Sequence, residues 1–151
     1  MLRNTARLIQ ALIRQGGKMK DIHYTTRIEL YIPEKFAGMN EYITANRSAP
    51  QIGNRMKHKY QDIIKAYLLE YKCRERVKGI LTPIYISYTF YEKNRRRDLD
   101  NISGFFHKVF QDALVETDII KDDGWDYIRG FSDSFKVSDR YGVQILISSQ
   151  E

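Results

Sequence analysis

The stretch "IYISYTFYEKNRRRDLDNISGFFHKVFQDAL", residues 84–114, contains the change of hydrophobic period that decides the fold. From Ile84 to Phe90 every second residue is apolar or aromatic, a pattern that predicts a β-strand with one buried face. From Ile102 to Leu114 the apolar residues recur at spacings of three and four, which predicts an amphipathic helix. The stretch therefore predicts a strand followed by a helix that packs on the same sheet.

The other periodic segments complete a predicted element order of βααβαββ. Alternation predicts the first strand, and helical spacing with capping residues predicts a short and then a longer helix. Two further alternating runs predict the closing strands. The ranges are 26–32 for the first strand, 40–48 and 54–77 for the helices, and 126–137 and 142–149 for the closing strands. With no internal repeat, this order predicts one small α+β domain with a mixed or antiparallel sheet.

The chain of 151 residues is long enough for one domain, which we assign to residues 19–151. Residues 1–18 form an N-terminal extension, because Gly16 and Gly17 break the amphipathic pattern of residues 2–14. Three origins of this segment are open: it is an appended helix, it is an organellar presequence, or it results from a start codon upstream of a natural beginning at Met19.

The composition is that of a basic protein, and its cysteine content suits a reducing compartment. Lys and Arg outnumber Asp and Glu by 25 to 19, and the net charge of +6 favours polyanionic partners such as nucleic acid. Cys73 is the only cysteine, so an intrachain disulfide and a thiolate zinc site are excluded, and a cytoplasmic location is expected. No apolar run approaches the roughly 20 residues that span a bilayer, so no membrane partner is expected.

Two carboxylates, Asp98 and Asp100, follow the densest basic run of the chain. Strand geometry would project both from one face, and their mutual repulsion requires a positive partner. The neighbouring arginines, the N-terminus of the following helix or a divalent cation could each supply that charge. A third acid from Asp122 or Asp123 would complete an oxygen site that suits Mg²⁺.

The same residues also have structural interpretations. Asp100 or Asn101 could cap the helix, Asp98 could pair with an arginine, and Asp-Asp-Gly at residues 122–124 could form an ordinary turn. The residues by themselves leave these alternatives open.

A family resemblance favours the metal site. The segments "RRRDLDN" (95–101), "KVFQDAL" (108–114) and "IIKDDGWDYI" (119–128) resemble the RusA family of Holliday junction resolvases, including its phage-encoded branch. The earlier "GMNEYITANR" (38–47) is similar to the basic N-terminal part of the same proteins, and the resemblance covers roughly residues 26–148. It implies an α+β homodimer that makes paired nicks in four-way DNA junctions during recombination and repair, with Mg²⁺ or Mn²⁺ as cofactor.

The resemblance also implies roles for individual residues. Asp98, Asp100 and Asp123 correspond to the metal-binding catalytic acids, and Arg97 corresponds to the arginine that precedes them. Asp122 and Asn101 are candidates to contact these ligands without touching the metal. The essential lysine of the family is expected where Gly104 stands or where Lys108 stands, one and two helical turns after the second aspartate. We expect Lys108 to take the catalytic role and to contact a phosphate.

Other roles for these cations stay open. Lys121 and Arg97 are substitutes for the catalytic lysine, and an ion pair between Lys108 and Asp112 is the structural alternative. The residues predicted to bind DNA are Arg47, Arg55, Lys57, Lys59, Arg95, Arg96, Arg97 and Lys121. On the second helix these cations could equally form a solvated face.

Aromatic residues and rival functions complete the prediction. Tyr85, Tyr91 and Trp125 could stack on unpaired bases, or pack within the fold. The alternatives to a junction resolvase are a non-catalytic nucleic-acid-binding module and a metal-dependent nuclease that acts on flaps or RNA.

Overall fold

The computed structural model describes residues 22–150 and confirms the predicted α+β class. The predicted extension, residues 1–18, lies outside the described residues. The elements in chain order are the strands His23–Thr25 (β1) and Arg27–Ile32 (β2), the helices Met39–Ser48 (α1) and Pro50–Glu75 (α2), the strands Val77–Ile80 (β3) and Ile84–Glu92 (β4), the helix Leu99–Glu116 (α3), and the strands Ile128–Val137 (β5) and Gly142–Ser149 (β6). None of the helices within 22–150 is long and apolar enough to cross a membrane.

The main sheet has four strands in the order β2-β6-β4-β5. β6 is antiparallel to both of its neighbours, whereas β4 and β5 run parallel. A second sheet pairs β1 with β3 in parallel. The predicted order omitted these two strands, because runs of three and four residues are too short to show alternation. The observed order is ββααββαββ.

The helix ends differ from the prediction for local reasons. α2 begins at Pro50, four residues earlier than predicted, because proline is preorganised for the first helical position. It ends before Arg76, whose φ of 54° lies in the left-handed region. α1 begins at Met39, directly after Gly38.

The core lies between α3 and the main sheet. α3 buries the aromatic residues Phe105, Phe106 and Phe110 against the apolar side of β4. Phe106 packs edge-on against Tyr88 and Phe90, with ring centroids 5.8 and 5.5 Å apart. The predicted packing of an amphipathic helix on this strand is confirmed.

The crossover from β4 through α3 to β5 separates two ends of the molecule. β4 pairs in parallel with β5 from Ile84 with Ile128 to Glu92 with Val137, so α3 must run back along the full length of β4. Its 18 residues correspond to about 27 Å. We call residues 93–101 together with 36–40 the Arg97 end, and residues 117–127 the Trp125 end.

Candidate metal and nucleic-acid site

Arg97 is an internal anchor of the Arg97 end. Its Nε and Nη2 each donate a hydrogen bond of 2.8 Å to Glu92, and its Nη1 donates to the Phe36 carbonyl oxygen at 2.9 Å. The two side chains are only 18% and 11% exposed, and the hydrogen bond to Glu92 raises the pKa of Arg97. A carboxylate buried at the end of β4 requires such a partner. The arginine partner expected for Asp98 is thus bound to Glu92 instead, and the predicted contact of Arg97 with DNA or the reacting phosphate stays a prediction.

Asn101 holds the beginnings of α1 and α3 together. Its Oδ1 accepts the backbone N–H of Asn40, in the first turn of α1, at 2.8 Å. Gly38 precedes α1 and has no side chain to cap it, and a Cβ there would lie 2.5 Å from the same Oδ1. Asn101 thus supplies from another helix the oxygen that a capping residue would normally supply. The predicted local cap is wrong, because Asp98 holds the N-cap position of α3.

Asp98 and Asp100 are both exposed at the beginning of α3. Asp98 makes no side-chain capping bond, and within residues 22–150 the side chain of Asp100 accepts one hydrogen bond, from the N–H of Asn101 at 2.9 Å. The expectation of strand geometry is wrong, since β4 ends at Glu92 and α3 begins at Leu99. The N-terminus of α3 still places partial positive charge beside both carboxylates. Neither forms an ion pair with any residue that the structure describes.

Exposed cations lie at the same end of the sheet as this acid pair. Arg95 and Arg96 precede it, and the Arg96 N–H donates to Asn94 Oδ1 at 3.0 Å. Lys93 and Lys35 place their ammonium groups 5.5 and 4.8 Å from the centre of the Tyr141 ring. The sequence did not single out Lys35 or Lys93, because residues 35, 93 and 141 are brought together only by the strand ends. The Arg97 end therefore combines two exposed carboxylates with several exposed cations.

The Trp125 end carries the other two predicted acids. Asp122 and Asp123 are exposed, and Asp122 Oδ1 accepts the N–H of Asp123 at 2.8 Å. The Gly124 carbonyl oxygen accepts the N–H groups of Tyr127 and Ile128 at 2.9 and 3.0 Å. Lys121 is exposed beside this turn. The turn that the sequence offered as a structural alternative is thus present, and it leaves both carboxylates facing solvent.

One copy of the chain does not bring the three predicted catalytic acids together. Asp98 and Asp100 precede α3 and Asp123 follows it, so about 27 Å of helix lies between them. Within residues 22–150, no three His, Cys, Asp or Glu side chains are grouped so that they could hold a metal ion. The expected third acid, Asp122 or Asp123, does not reach this pair within a single copy, because the parallel crossover brings the turn after α3 to the start of β4.

The predicted lysines differ in whether their ammonium groups form ion pairs with the described residues. Lys57 Nζ lies 2.8 Å from Asp112 Oδ2, and this hydrogen bond raises the pKa of Lys57. Lys57 therefore links α2 to α3, and the predicted pair of Lys108 with Asp112 is wrong. Lys108 is exposed about 12 Å along α3 from Asp100, and no ion pair joins it to the described part of the chain. Gly104, where the resembled family would have its lysine, packs against Met39 of α1, and a Cβ at this position would lie 3.1 Å from Met39 Cε.

The remaining predicted DNA-binding residues are exposed on the first two helices. Arg47 lies in the last turn of α1, and Arg55 and Lys59 lie in the first three turns of α2. Lys59 approaches the ring of Tyr60, at 5.1 Å from its centre. These three side chains are sterically accessible to a polyanion.

The contact between His107 and Asp133 was not predicted from the sequence. His107 Nε2 lies 2.7 Å from Asp133 Oδ1, and both side chains are largely buried between α3 and β5. The imidazole also packs on Phe131 and on Tyr88, with centroid distances of 4.5 and 4.8 Å. Burial raises the pKa of Tyr88. A separation of 26 residues gives no motif, so only the crossover topology could have suggested this pair.

The three aromatic residues predicted to stack on bases differ in their solvent exposure. Tyr85 and Tyr91 are half-buried on β4, and Tyr91 packs edge-on against Tyr31 at 6.3 Å. Trp125 is 94% exposed. Packing is thus the observed state of Tyr91, whereas Trp125 is available to a partner.

Comparison with known proteins leaves the family open. The chain matches no protein-family model and no curated protein sequence.

Proposed function

We propose that this chain is a metal-dependent endodeoxyribonuclease of the RusA type, which resolves four-way DNA junctions as a twofold homodimer. The observation that carries the proposal is the pair Asp98 and Asp100, exposed and without ion-pair partners among residues 22–150, at the N-terminus of α3. The N-terminus of α3 stabilises both carboxylates electrostatically, and together they present the adjacent oxygen ligands that Mg²⁺ prefers. A site that binds a cation needs them.

The surrounding charges suit a polyanionic substrate. Carboxylates repel phosphate, so an acidic site can hold DNA only where other charges reverse the local potential. Arg95, Arg96, Lys93 and Lys35 are exposed at the same end of the sheet as the acid pair, and the N-terminus of α3 adds partial positive charge. These cations would hold the phosphate backbone while the acids stay free for a metal ion.

The acid pair fits Mg²⁺ or Mn²⁺ by its donor chemistry. Mg²⁺ is usually held by one or two carboxylates, and waters and substrate phosphates complete its octahedral shell. Bound to Asp98 and Asp100, such an ion would supply an activated water and neutralise charge on the phosphoryl group. Arg95 and Arg96 would orient the strand, and Lys108 would contact a phosphate farther along the same helix.

Asp123 can join this site only from a second copy. The two acidic groups lie at opposite ends of α3, so two chains placed side by side and antiparallel would bring Asp123 of the partner subunit to Asp98 and Asp100. A twofold axis makes this happen twice, which produces two equivalent sites. Two equivalent sites would cut two strands of like polarity, the action that resolving a four-way junction requires.

The test is cleavage of a synthetic four-way junction with Mg²⁺, with Mn²⁺ and with chelator. We expect paired nicks that depend on the metal and are lost in Asp100→Asn. Asp139→Asn is the matched control, because Asp139 is an exposed acid at the same end of the sheet. Absence of metal-dependent cleavage, or full activity of Asp100→Asn, would contradict the proposal.

A second candidate is a nucleic-acid-binding module without catalysis. It is favoured by the separation of the acids within one copy and by the cationic cluster on Tyr141. Such a module would bind junctions equally well with Asp100→Asn and would cleave nothing. A panel of junction, flap, duplex and RNA substrates separates both functions from a nuclease with another substrate.

A further inference from the structure

Trp125 is the most exposed large apolar side chain in residues 22–150. It is 94% exposed, although the turn that carries it is held by hydrogen bonds to the Gly124 carbonyl oxygen. Its indole forms no ring contact with the described residues. Tryptophan is enriched at the energetic centres of interfaces, because one ring buries a large apolar area at small entropic cost. A well-held but fully exposed tryptophan therefore suggests a missing partner.

Further exposed apolar residues lie on α3 and β5, the elements before and after the turn that carries Trp125. Leu99 is 57% exposed at the beginning of α3, and Val137 is 55% exposed at the end of β5. Phe131 is 46% exposed between the two ends, where it packs on His107. β5 is the edge strand of the sheet, so its outer side has no strand neighbour among the described elements. Phe131 and Val137 pair with Ile86 and Glu92, so they lie on the side of the sheet that faces α3. We call Trp125, Leu99, Phe131 and Val137, which are distributed from one end of the α3–β5 unit to the other, the apolar strip.

We propose that this apolar strip is the dimer face, and that Trp125 docks against Leu99 and Val137 of a second copy of the chain. The inference rests on the proposed function, because the partner is the copy whose Asp123 reaches Asp98 and Asp100. Trp125 lies two residues after Asp123, and Leu99 lies between the two acids of the other group. Whatever brings the acids together must also bring these apolar side chains together.

The spacing of the strip suits a twofold arrangement. Leu99 is the first residue of α3 and Trp125 lies in the turn after its last residue, and α3 itself is about 27 Å long. When two copies lie antiparallel along their β5 edges, each Trp125 meets the partner's Leu99, and the two Phe131 side chains approach near the axis. The same contact is then made twice, as an isologous interface requires. Apolar anchoring would also offset the repulsion between the acidic groups before metal binds.

The single tryptophan of the chain makes this contact directly measurable. Fluorescence excited where tyrosine does not absorb reports Trp125 alone. We propose to record emission and acrylamide quenching of the full chain across a concentration series, and to measure its mass by sedimentation in the same samples. As the dimer forms, the emission should shift to the blue and quenching should fall several-fold.

Two variants and one control define the interface. Trp125→Ser and Leu99→Ser should each raise the dimer dissociation constant at least about tenfold, a change that corresponds to about 1.4 kcal/mol. Ile52→Ser is the control, because Ile52 is an exposed apolar residue, 46% exposed, that lies on α2 and belongs to neither α3 nor β5. It should leave the dissociation constant unchanged. Because Trp125 is solvent-exposed, its replacement removes no internal packing, and circular dichroism of each variant verifies the fold.

Several results would overturn the inference. These are a chain that stays monomeric at all concentrations, a dimer whose tryptophan emission equals that of the monomer, and a Trp125→Ser protein that dimerises like wild type. Quenching of monomeric Trp125 by junction DNA would assign the residue to DNA stacking instead. A dimer that buries Trp125 but shows no metal-dependent cleavage would support the interface and contradict the nuclease. The two proposals can therefore fail separately.

Discussion

The Arg97 end and the Trp125 end each carry predicted metal-binding aspartates that are exposed, but the chain holds them in different ways. At the Arg97 end, Arg97 binds Glu92 and Phe36, and Asn101 binds Asn40, so three parts of the chain converge there. At the Trp125 end, Lys72, Ile80 and Ile84 donate hydrogen bonds to the carbonyl oxygens of residues 117, 119 and 127. The turn at residues 122–126, which carries the acids and Trp125, is held by hydrogen bonds between neighbouring residues. The acids of the Arg97 end thus lie beside contacts between distant segments, whereas the acids of the Trp125 end lie in a locally held turn. The difference suggests that, in a dimer, the Arg97 end of one copy would receive the loop at the Trp125 end of the other.

The largest expected effect concerns the framework of the Arg97 end. Arg97→Ala should lower the free energy of unfolding by about 3–5 kcal/mol, because it leaves the buried Glu92 carboxylate without its partner. Urea denaturation measures this change. The double variant Glu92→Met with Arg97→Met is the control, and it should recover most of the lost stability. Equal destabilisation by the single and double changes would mean that the pair acts by packing alone.

The next effect distinguishes the acids from the framework. Asp100→Asn and Asp123→Asn should each reduce junction cleavage by about 10²–10³-fold, the size expected when one group that stabilises developing charge is removed. Neither should lower the unfolding free energy by more than about 0.5 kcal/mol, because both side chains are exposed.

Asp126→Asn serves as the control for Asp123→Asn, since Asp126 is exposed in the same loop. It should cleave at the wild-type rate. A reduction as large as that of Asp123→Asn would show that the loop responds to any loss of negative charge.

A smaller effect tests the link between α1 and α3. Asn101→Ala should cost about 1 kcal/mol, the usual value of a lost N-terminal capping oxygen. Gly38→Ser should destabilise the wild type, because its Cβ would lie 2.5 Å from Asn101 Oδ1. In the Asn101→Ala background the same serine has room and can cap α1 locally, so it should restore stability. Additive losses in a double-mutant cycle measured by thermal unfolding would contradict this contact.

The smallest effect on stability is expected for Lys108. Lys108→Ala should change the unfolding free energy by less than about 0.5 kcal/mol, because the side chain is exposed. If Lys108 contacts a phosphate, the salt dependence of junction binding should become less steep, with the slope of log K against log salt reduced by about 0.9. Lys57→Ala is the comparison, since Lys57 is engaged by Asp112. An unchanged slope for Lys108→Ala would remove it from the DNA contact.

The sequence predicted the elements that have long periodic runs. It missed the short strands and the contacts between residues that are far apart in the sequence. α3 and β4 were found because their apolar periods extend over many residues, whereas β1 and β3 are too short to show a period. The contact between Asn40 and Asn101 spans 61 residues and has no local signal. Glu92 did have a signal: it continues the inward series of β4, so a buried acid with a nearby arginine could have been expected.

The separation of the acids could also have been deduced from a correct topology. Two parallel strands joined by a helix place the turn after the helix at the start of the first strand. The sequence left the sheet as mixed or antiparallel, so the direction of β5 relative to β4 was open. Once that pairing is known to be parallel, Asp123 can meet Asp98 and Asp100 only across two copies.

Mixing two inactive variants tests this central claim most directly. In a dimer of Asp100→Asn with Asp123→Asn, one shared site contains both changes and the other contains neither. We therefore predict that the mixture nicks one strand of a four-way junction per dimer, although neither variant alone cleaves. Differently tagged copies confirm that mixed dimers form. If mixed dimers form and the mixture stays as inactive as each variant alone, the acids do not act across two copies and the account is contradicted.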